Sequence, residues 1–128
     1  MLVILALNTT SSTSKRGAMK RTLLIDLDGV LNTYNGQFDE YIIPPVKQGA
    51  YEFLQNLSDK FIIKIFTTRN KLLASKWIID NNLDKFISDV TNVKDPAWLI
   101  IDDRCINFNG NYDDTLDSIN NFSVWYRK

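Results

Sequence analysis

The chain has 128 residues, of which 45% are hydrophobic and 23% charged, a composition typical of an ordinary globular domain rather than a disordered segment. Fifteen basic and fifteen acidic residues cancel, so no overall charge attracts the protein to nucleic acid or to an anionic membrane. The chain has no histidine and one cysteine, which excludes histidine metal sites, Ser-His-Asp and Cys-His catalysis and an internal disulfide. Acid–base chemistry therefore falls to carboxylates, lysine or tyrosine, and the single cysteine indicates a reducing, cytoplasmic setting.

The first eighteen residues differ in composition from the rest of the chain. The apolar run at residues 2–7 is too short to span a bilayer and has no basic segment before it, so we expect no membrane association. Residues 8–16 are rich in Ser and Thr. We therefore expect residues 1–18 to form a flexible N-terminal tail and residues 19–128 to form one domain.

From residue 19 onward, short apolar runs alternate with amphipathic stretches. The patterns predict strands at residues 23–25, 62–66, 86–90, 98–101 and 122–126, and helices at 46–57, 72–80 and 112–120. Continuous apolar strands separated by helices are typical of a mostly parallel sheet with helices on both faces, which is a three-layer α/β/α fold. Such sheets bind ligands outside the carboxyl ends of their strands.

A pair of carboxylates follows the first predicted strand. Asp26 and Asp28 are two residues apart where the chain leaves the sheet, so both can face one crevice, and Gly29 allows the sharp turn that follows. An isolated Asp-X-Asp is often only a solvated turn. Because this pair follows an entirely apolar strand and precedes Gly-Val-Leu, we interpret it as functional.

Two further polar clusters follow later strands. Thr67 and Thr68 end the strand at 62–66, where a hydroxyl can donate to a phosphoryl oxygen, and Arg69 can pair with a substrate anion. A threonine-rich helix cap would explain that cluster equally well. Asp102 and Asp103 end the strand at 98–101, and adjacent buried acids are costly unless a cation lies nearby. Mg²⁺ is the cation that suits such oxygen ligands, although an ion pair with the neighbouring arginine is the simpler alternative.

The order and local pattern of these clusters resemble the motifs of the haloacid-dehalogenase-like (HAD) phosphohydrolase superfamily. The segment Asp26-Leu27-Asp28-Gly29-Val30 is similar to the first motif of that family, Phe66-Thr67 to the second and Ile101-Asp102-Asp103 to the fourth. The resemblance covers nearly the whole chain from residue 19. It implies a Rossmann-like fold and the activity of a Mg²⁺-dependent phosphatase, that is, a hydrolase of phosphoric ester bonds.

The resemblance also implies a role for each matching residue. Asp26 would attack phosphorus and form an aspartyl-phosphate, and Asp28 would protonate the leaving oxygen and then activate water. Thr67 would bind the transferring phosphoryl group, with Gly29, Thr68 and Arg69 around the substrate. The side chain of Asp26, the backbone carbonyl of Asp28 and a side chain of Asp102 or Asp103 would hold Mg²⁺. Phosphoryl transfer needs mainly such positioning and charge neutralisation.

The third motif of the family is a lysine, for which Lys94 is the best match. Lys94 precedes Asp102 by eight residues, and a fully extended link would leave it roughly 25 Å from the strand end. It reaches the site only if its loop folds back. Lys71, which follows the second cluster, is the alternative, and a plain surface lysine is the competing reading of Lys94.

The segment between the first strand and the first helix is too short for a cap domain. Residues 34–38 predict a short hairpin flap instead, so the chain resembles a capless member of the family with an open site. Such a site suits a large substrate, or a small one that is covered by a second copy in a homo-oligomer. Tyr34 and Phe38 can stack on a ring of the substrate or simply anchor the flap.

The leading hypothesis is therefore a phosphomonoester hydrolase. Its substrate can be a nucleotide, a sugar phosphate or a phosphorylated end of nucleic acid. The alternative is a catalytically weak module of the same fold that binds a phosphorylated ligand or partner, but the presence of both Asp26 and Asp28 disfavours it. A two-component receiver ranks lower. Receivers place their acid pair early and the phosphorylated Asp on a later strand, whereas in this chain the acid pair with glycine opens the domain and Asp102 and Asp103 come late.

Overall fold

The computed structural model describes residues 19–127. In that range the chain forms four strands, β1 (Arg21–Asp26), β2 (Phe61–Phe66), β3 (Asp89–Thr91) and β4 (Leu99–Ile101), and three α-helices, α1 (Ala50–Ser58), α2 (Lys71–Asp80) and α3 (Tyr112–Asn120). Short 3-10 turns lie at Asp84–Phe86 and Trp125–Arg127. The predicted tail at residues 1–18 lies outside the described residues.

The four strands form one parallel sheet in the order β3-β2-β1-β4. Its register aligns the carboxyl ends of neighbouring strands, since Asp26 is paired with Phe66 and Ile25 with Ile101. The predicted α/β class and the parallel sheet are thus confirmed. The residues that follow β1, β2 and β4 leave the sheet at one edge, which is where ligands bind in such folds.

The hydrophobic core lies on one side of this sheet. Alternate residues of β1 and β2 (Leu23, Ile25, Ile63 and Ile65) share one cluster with Ala50 and Leu54 of α1 and Ala74 and Ile78 of α2. The period of two along a strand places such alternate residues on the same face. Helix α3 buries none of its residues, so the expected third layer is not confirmed.

The loop after β1 returns to the sheet edge, and the first helix begins later in the chain than the sequence pattern predicted. The Pro45 carbonyl accepts a hydrogen bond from the Thr33 amide at 2.9 Å, and Asn32 forms an antiparallel bridge with Val46. Because this pairing uses the residues after Pro45, α1 begins only at Ala50. Residues 33–45, which we call the flap, form a loop closed by that bridge, and the strands of the expected hairpin are not found there.

Two other sequence predictions differ from the structure. The strand expected at 86–90 is shorter and later, because the chain first makes the 3-10 turn that ends at Phe86. The prediction of a strand at 122–126 is wrong. This segment packs over the sheet edge, where Val124 is buried and Trp125 begins a 3-10 turn. Across the described part of the chain, we find no helix with the length and apolar character needed to cross a bilayer.

Candidate active site

Three carboxylates meet at the carboxyl edge of the sheet. Asp26 is the last residue of β1, and Asp102 and Asp103 follow β4, the strand beside it. One carboxylate oxygen from each of the three lies within 4.8 Å of the others. The parallel pairing of β1 and β4 therefore brings together the residues that the sequence singled out.

The proximity of these acids makes their ionisation difficult. Burial, and then the nearby charges of Asp102, Asp103 and Asp28, raise the pKa of Asp26 from 3.8 to about 8. Burial is also the main reason why the pKa of Asp103 is raised. Carboxylates that share a poorly solvated site cannot all carry a charge unless a proton or a cation compensates them.

The donor set fits a hard divalent cation. Asp103 Oδ2 is buried and has no hydrogen-bond partner among the residues described. Carboxylate oxygens are the ligands that Mg²⁺ prefers, with water completing its coordination. Asp26, Asp102 and Asp103 are thus the residues that would hold Mg²⁺, and participation of the Asp28 carbonyl stays a prediction.

Asp28 lies in a different environment from the other acids. Arg69 Nε donates to its two oxygens at 2.8 and 3.0 Å, and Asn32 Nδ2 donates to Oδ1 at 3.0 Å. The Arg69 side chain is fully enclosed, with 0% of its surface exposed. Arg69, which was expected to contact substrate, therefore holds Asp28 from inside the protein. The two donors fix the orientation of the Asp28 carboxyl group.

Gly29 is needed where it stands for two reasons. Its φ of +83° is a left-handed conformation that side chains disfavour, and a Cβ at this position would overlap with the Asp103 carboxylate. Its amide donates to Asn32 Oδ1 at 3.1 Å, and its carbonyl accepts from Trp125 Nε1 at 2.8 Å. Gly29 thus allows the β1 and β4 loops to approach each other closely.

The two threonines after β2 are placed differently. Thr67 is buried, and its hydroxyl oxygen accepts the Arg69 amide at 3.1 Å. Asn92 Nδ2 donates to the Thr67 carbonyl at 2.7 Å and fixes this turn. Thr68 is exposed and is the threonine that lines the cavity described next.

The acids lie in a cavity of about 260 Å³. Its walls come from the loops after β1, β2 and β4, and its lining residues are Asp26, Asp28, Tyr34, Phe38, Thr68, Asp102, Asp103 and Arg104. A slightly larger cavity of about 300 Å³, lined by Arg104, Cys105, Ile106, Ile119 and Phe122, contains none of the acids. We place the site at the acids because grouped carboxylates with raised pKa values are typical of functional sites.

Neither candidate lysine lines the acidic cavity. Lys94 is exposed, and Lys71 is exposed with its Nζ 3.9 Å from Asp89 Oδ1. The cation that does line the cavity is Arg104, whose Nη2 donates to the Tyr126 hydroxyl at 3.1 Å. In the sequence analysis, this arginine was placed beside the acids as an ion-pair partner.

Sequence reasoning also missed Asn32. This residue is fully buried and contacts Asp28, Gly29 and the Tyr34 amide. No local signal identified it, because Asn is common in turns and its burial depends on contacts made in the fold.

Comparisons with known proteins support the fold. No protein-family model matches the chain, and no curated protein does. A solved structure, that of a conserved protein from Bacteroides thetaiotaomicron, is similar with a TM-score of 0.54 and 18% sequence identity, over 80% of this chain and 91% of that one. At that identity the likeness extends to the α/β architecture alone.

Proposed function

We propose that the protein is a Mg²⁺-dependent phosphomonoester hydrolase, a capless HAD-like enzyme with Asp26 as its nucleophile. The observation that carries the proposal is the convergence of Asp26, Asp102 and Asp103 at the floor of an open cavity. A folded protein gains nothing in stability from like charges held this close. A site that binds a cation and then a phosphate explains the arrangement.

The reaction has two balanced steps. In the first, a carboxylate oxygen of Asp26 attacks phosphorus, the bond from phosphorus to the ester oxygen breaks, and that oxygen takes a proton from Asp28. In the second, a water oxygen attacks the phosphorus of the aspartyl-phosphate, the bond from phosphorus to the Asp26 oxygen breaks, and Asp28 accepts a proton of the water, so that inorganic phosphate is released and the Asp26 carboxylate is restored. Bound Mg²⁺ would neutralise charge on the phosphoryl oxygens.

Other residues around the cavity suit the phosphoryl group. Arg104 brings the positive charge, and the Thr68 hydroxyl is a donor exposed to the same space. Arrangements of this kind stabilise charge that develops on oxygen as the phosphoryl group is transferred. Thr67, which is buried, would act through the turn that presents Thr68 rather than through direct contact.

Asp28 is positioned for its role by two enclosed side chains. Arg69 donates to both of its oxygens and Asn32 to one of them, and this holds the carboxyl group at the wall of the cavity that also contains Asp26. An aryl phosphate is the simplest test substrate, because its leaving group depends least on a proton from Asp28.

One observation favours a second candidate, a catalytically weak module that binds a phosphorylated ligand. Lys94 and Lys71 both lie outside the acidic cavity, so the described site has no lysine to steady the phosphate. Binding of phosphate without turnover would then be the activity.

Hydrolysis of an aryl phosphate tests both candidates. We expect wild-type activity with Mg²⁺, none with EDTA, and a loss of more than about a thousandfold in Asp26→Asn, because the nucleophile is gone. Asp117→Asn, an exposed acid of α3 outside the cavity, should match wild type. Metal-independent activity that survives in Asp26→Asn would refute the mechanism. Phosphate binding by an inactive wild type would support the second candidate.

A further inference from the structure

The mouth of the acidic cavity is aromatic. Tyr34 and Phe38, both on the flap, line the same space as Asp26 and Asp102. Phe38 leaves 56% of its surface exposed, although an aromatic ring that serves only as an anchor is normally buried. The cavity therefore combines a charged floor with flat apolar walls.

The position of Phe38 is fixed from inside the protein. The guanidinium of Arg69 lies 4.5 Å from the centroid of the Phe38 ring, and Arg69 Nη1 donates to the Asp39 carbonyl at 2.8 Å. The same side chain forms the ion pair with Asp28. A buried guanidinium packs strongly on an aromatic face, so Arg69 sets the place of the ring relative to the acid.

The position of Tyr34 is fixed by a second shared residue. Asn32 Oδ1 accepts the Tyr34 amide at 3.0 Å, while Asn32 Nδ2 binds Asp28. The Tyr34 ring also packs edge-on against Tyr126, with centroids 6.1 Å apart. Two enclosed side chains, Asn32 and Arg69, thus position Asp28 and the aromatic walls together.

We propose that the substrate is a phosphomonoester that carries a planar aromatic ring, of the nucleoside phosphate class. This inference rests on the proposed function. The phosphate lies at the acidic floor, and the ring stacks against Tyr34 and Phe38. Stacking on an aromatic side chain strengthens binding by about tenfold or more for each base, and it tolerates any base because all have a flat face.

A free nucleotide and the phosphorylated end of a nucleic acid share this chemistry. The charge around the site favours the free nucleotide, because Arg104 is the one basic residue that lines the cavity in the described chain. Binding of a nucleic-acid strand depends on a row of basic contacts to successive phosphates.

The test compares kcat/KM for a nucleoside 5′-monophosphate and for ribose 5-phosphate, which lacks the ring. We expect wild type to prefer the nucleotide by about tenfold or more, and Tyr34→Leu and Phe38→Leu each to reduce that ratio severalfold. Tyr41→Leu is the matched control, since this flap aromatic is 78% exposed and lies outside the cavity, and it should leave the ratio unchanged. Equal kcat/KM values in wild type, or a preference that persists in both cavity variants, overturn the inference.

A 5′-phosphorylated oligonucleotide forms the third arm and separates the two sources. A kcat/KM above that of the mononucleotide would assign a nucleic-acid end, and a lower value the free nucleotide. If wild type hydrolyses none of these esters, the proposed hydrolysis fails. Isothermal titration of the nucleotide and of ribose 5-phosphate into wild type, in the presence of Mg²⁺, then tests the role of the ring separately. Tighter binding of the nucleotide than of ribose 5-phosphate, weakened in Phe38→Leu, supports the ring inference, and equal binding overturns it.

Discussion

Replacement of Asp26 by Asn tests the electrostatics of the site through protein stability. The substitution removes the charge and keeps the size of the side chain. Because the folded protein raises the pKa of Asp26 from 3.8 to about 8, it holds the proton more tightly than the unfolded chain does. The folded state therefore loses stability as the pH rises from about 4 to about 8, relative to a variant that cannot ionise at this position.

The size of this effect follows from the pKa difference. A difference of roughly four units, at about 1.4 kcal/mol for each, sets a ceiling of about 6 kcal/mol at pH 8. Asp26 keeps contact with solvent and its neighbours can take up the proton instead, so we expect about half of that ceiling, about 3 kcal/mol. For a domain of this length, such a gain corresponds to about 10 °C in Tm.

Urea denaturation in EDTA at pH 4 and pH 8 measures the difference. We expect Asp26→Asn to exceed wild type in free energy of unfolding at pH 8 and to equal it near pH 4, whereas Asp117→Asn should follow wild type throughout. Mg²⁺ at a hundred times its Kd should stabilise wild type by about 2.7 kcal/mol at pH 8 and the Asp26 variant far less. Equal stability of wild type and Asp26→Asn at pH 8 in EDTA would refute the inference that burial and the neighbouring acids disfavour a charge on Asp26.

Two further substitutions test how the loops around the acids are held. Gly29→Ala should reduce the free energy of unfolding in urea by about 2–4 kcal/mol, because its positive φ and its contact with a carboxylate both oppose a side chain. Gly49→Ala, with a φ of +90° but open space around it, should lose only about 1 kcal/mol, and equal losses would contradict the close approach at Gly29. Arg69→Met should lose about 3–5 kcal/mol in the same measurement, because it leaves the Asp28 carboxylate uncompensated. Addition of Asp28→Asn to Arg69→Met should recover part of that loss, and no recovery would show that the pair is not coupled.

The central strands and the acid cluster could be predicted from the sequence because local signals determine them. β1 and β2 are continuous apolar runs, and α3 has the bounds that its helical spacing indicated, Tyr112–Asn120. Once the sheet is parallel, acids at the ends of adjacent strands must lie near each other. The convergence of Asp26 with Asp102 and Asp103 follows from topology rather than from any detail of packing.

The partners of Asp28 could not be predicted, because they depend on contacts between distant parts of the chain. Arg69 lies 41 residues from Asp28, and hydrophobic periodicity carries no information about which buried ion pair forms. The C-terminal segment shows the same limit. Its apolar alternation resembles a strand, but Trp125 donates to the Gly29 carbonyl, 96 residues away, and the segment covers the loop after β1 instead of joining the sheet.

The charges that line the cavity indicate how a phosphate could be held without a lysine. Asp28 is compensated by Arg69, and the remaining three carboxylates would be balanced by Arg104 together with one divalent cation. A phosphate dianion that enters such a neutral site adds two uncompensated negative charges, which a poorly solvated cavity disfavours. A proton on Asp103 would relieve part of this excess. Burial already raises the pKa of that carboxyl, and its Oδ2 is enclosed against Gly29. Asp26, Asp102 and Asp103 would then hold the cation with one proton among them, and this would allow the phosphate to bind.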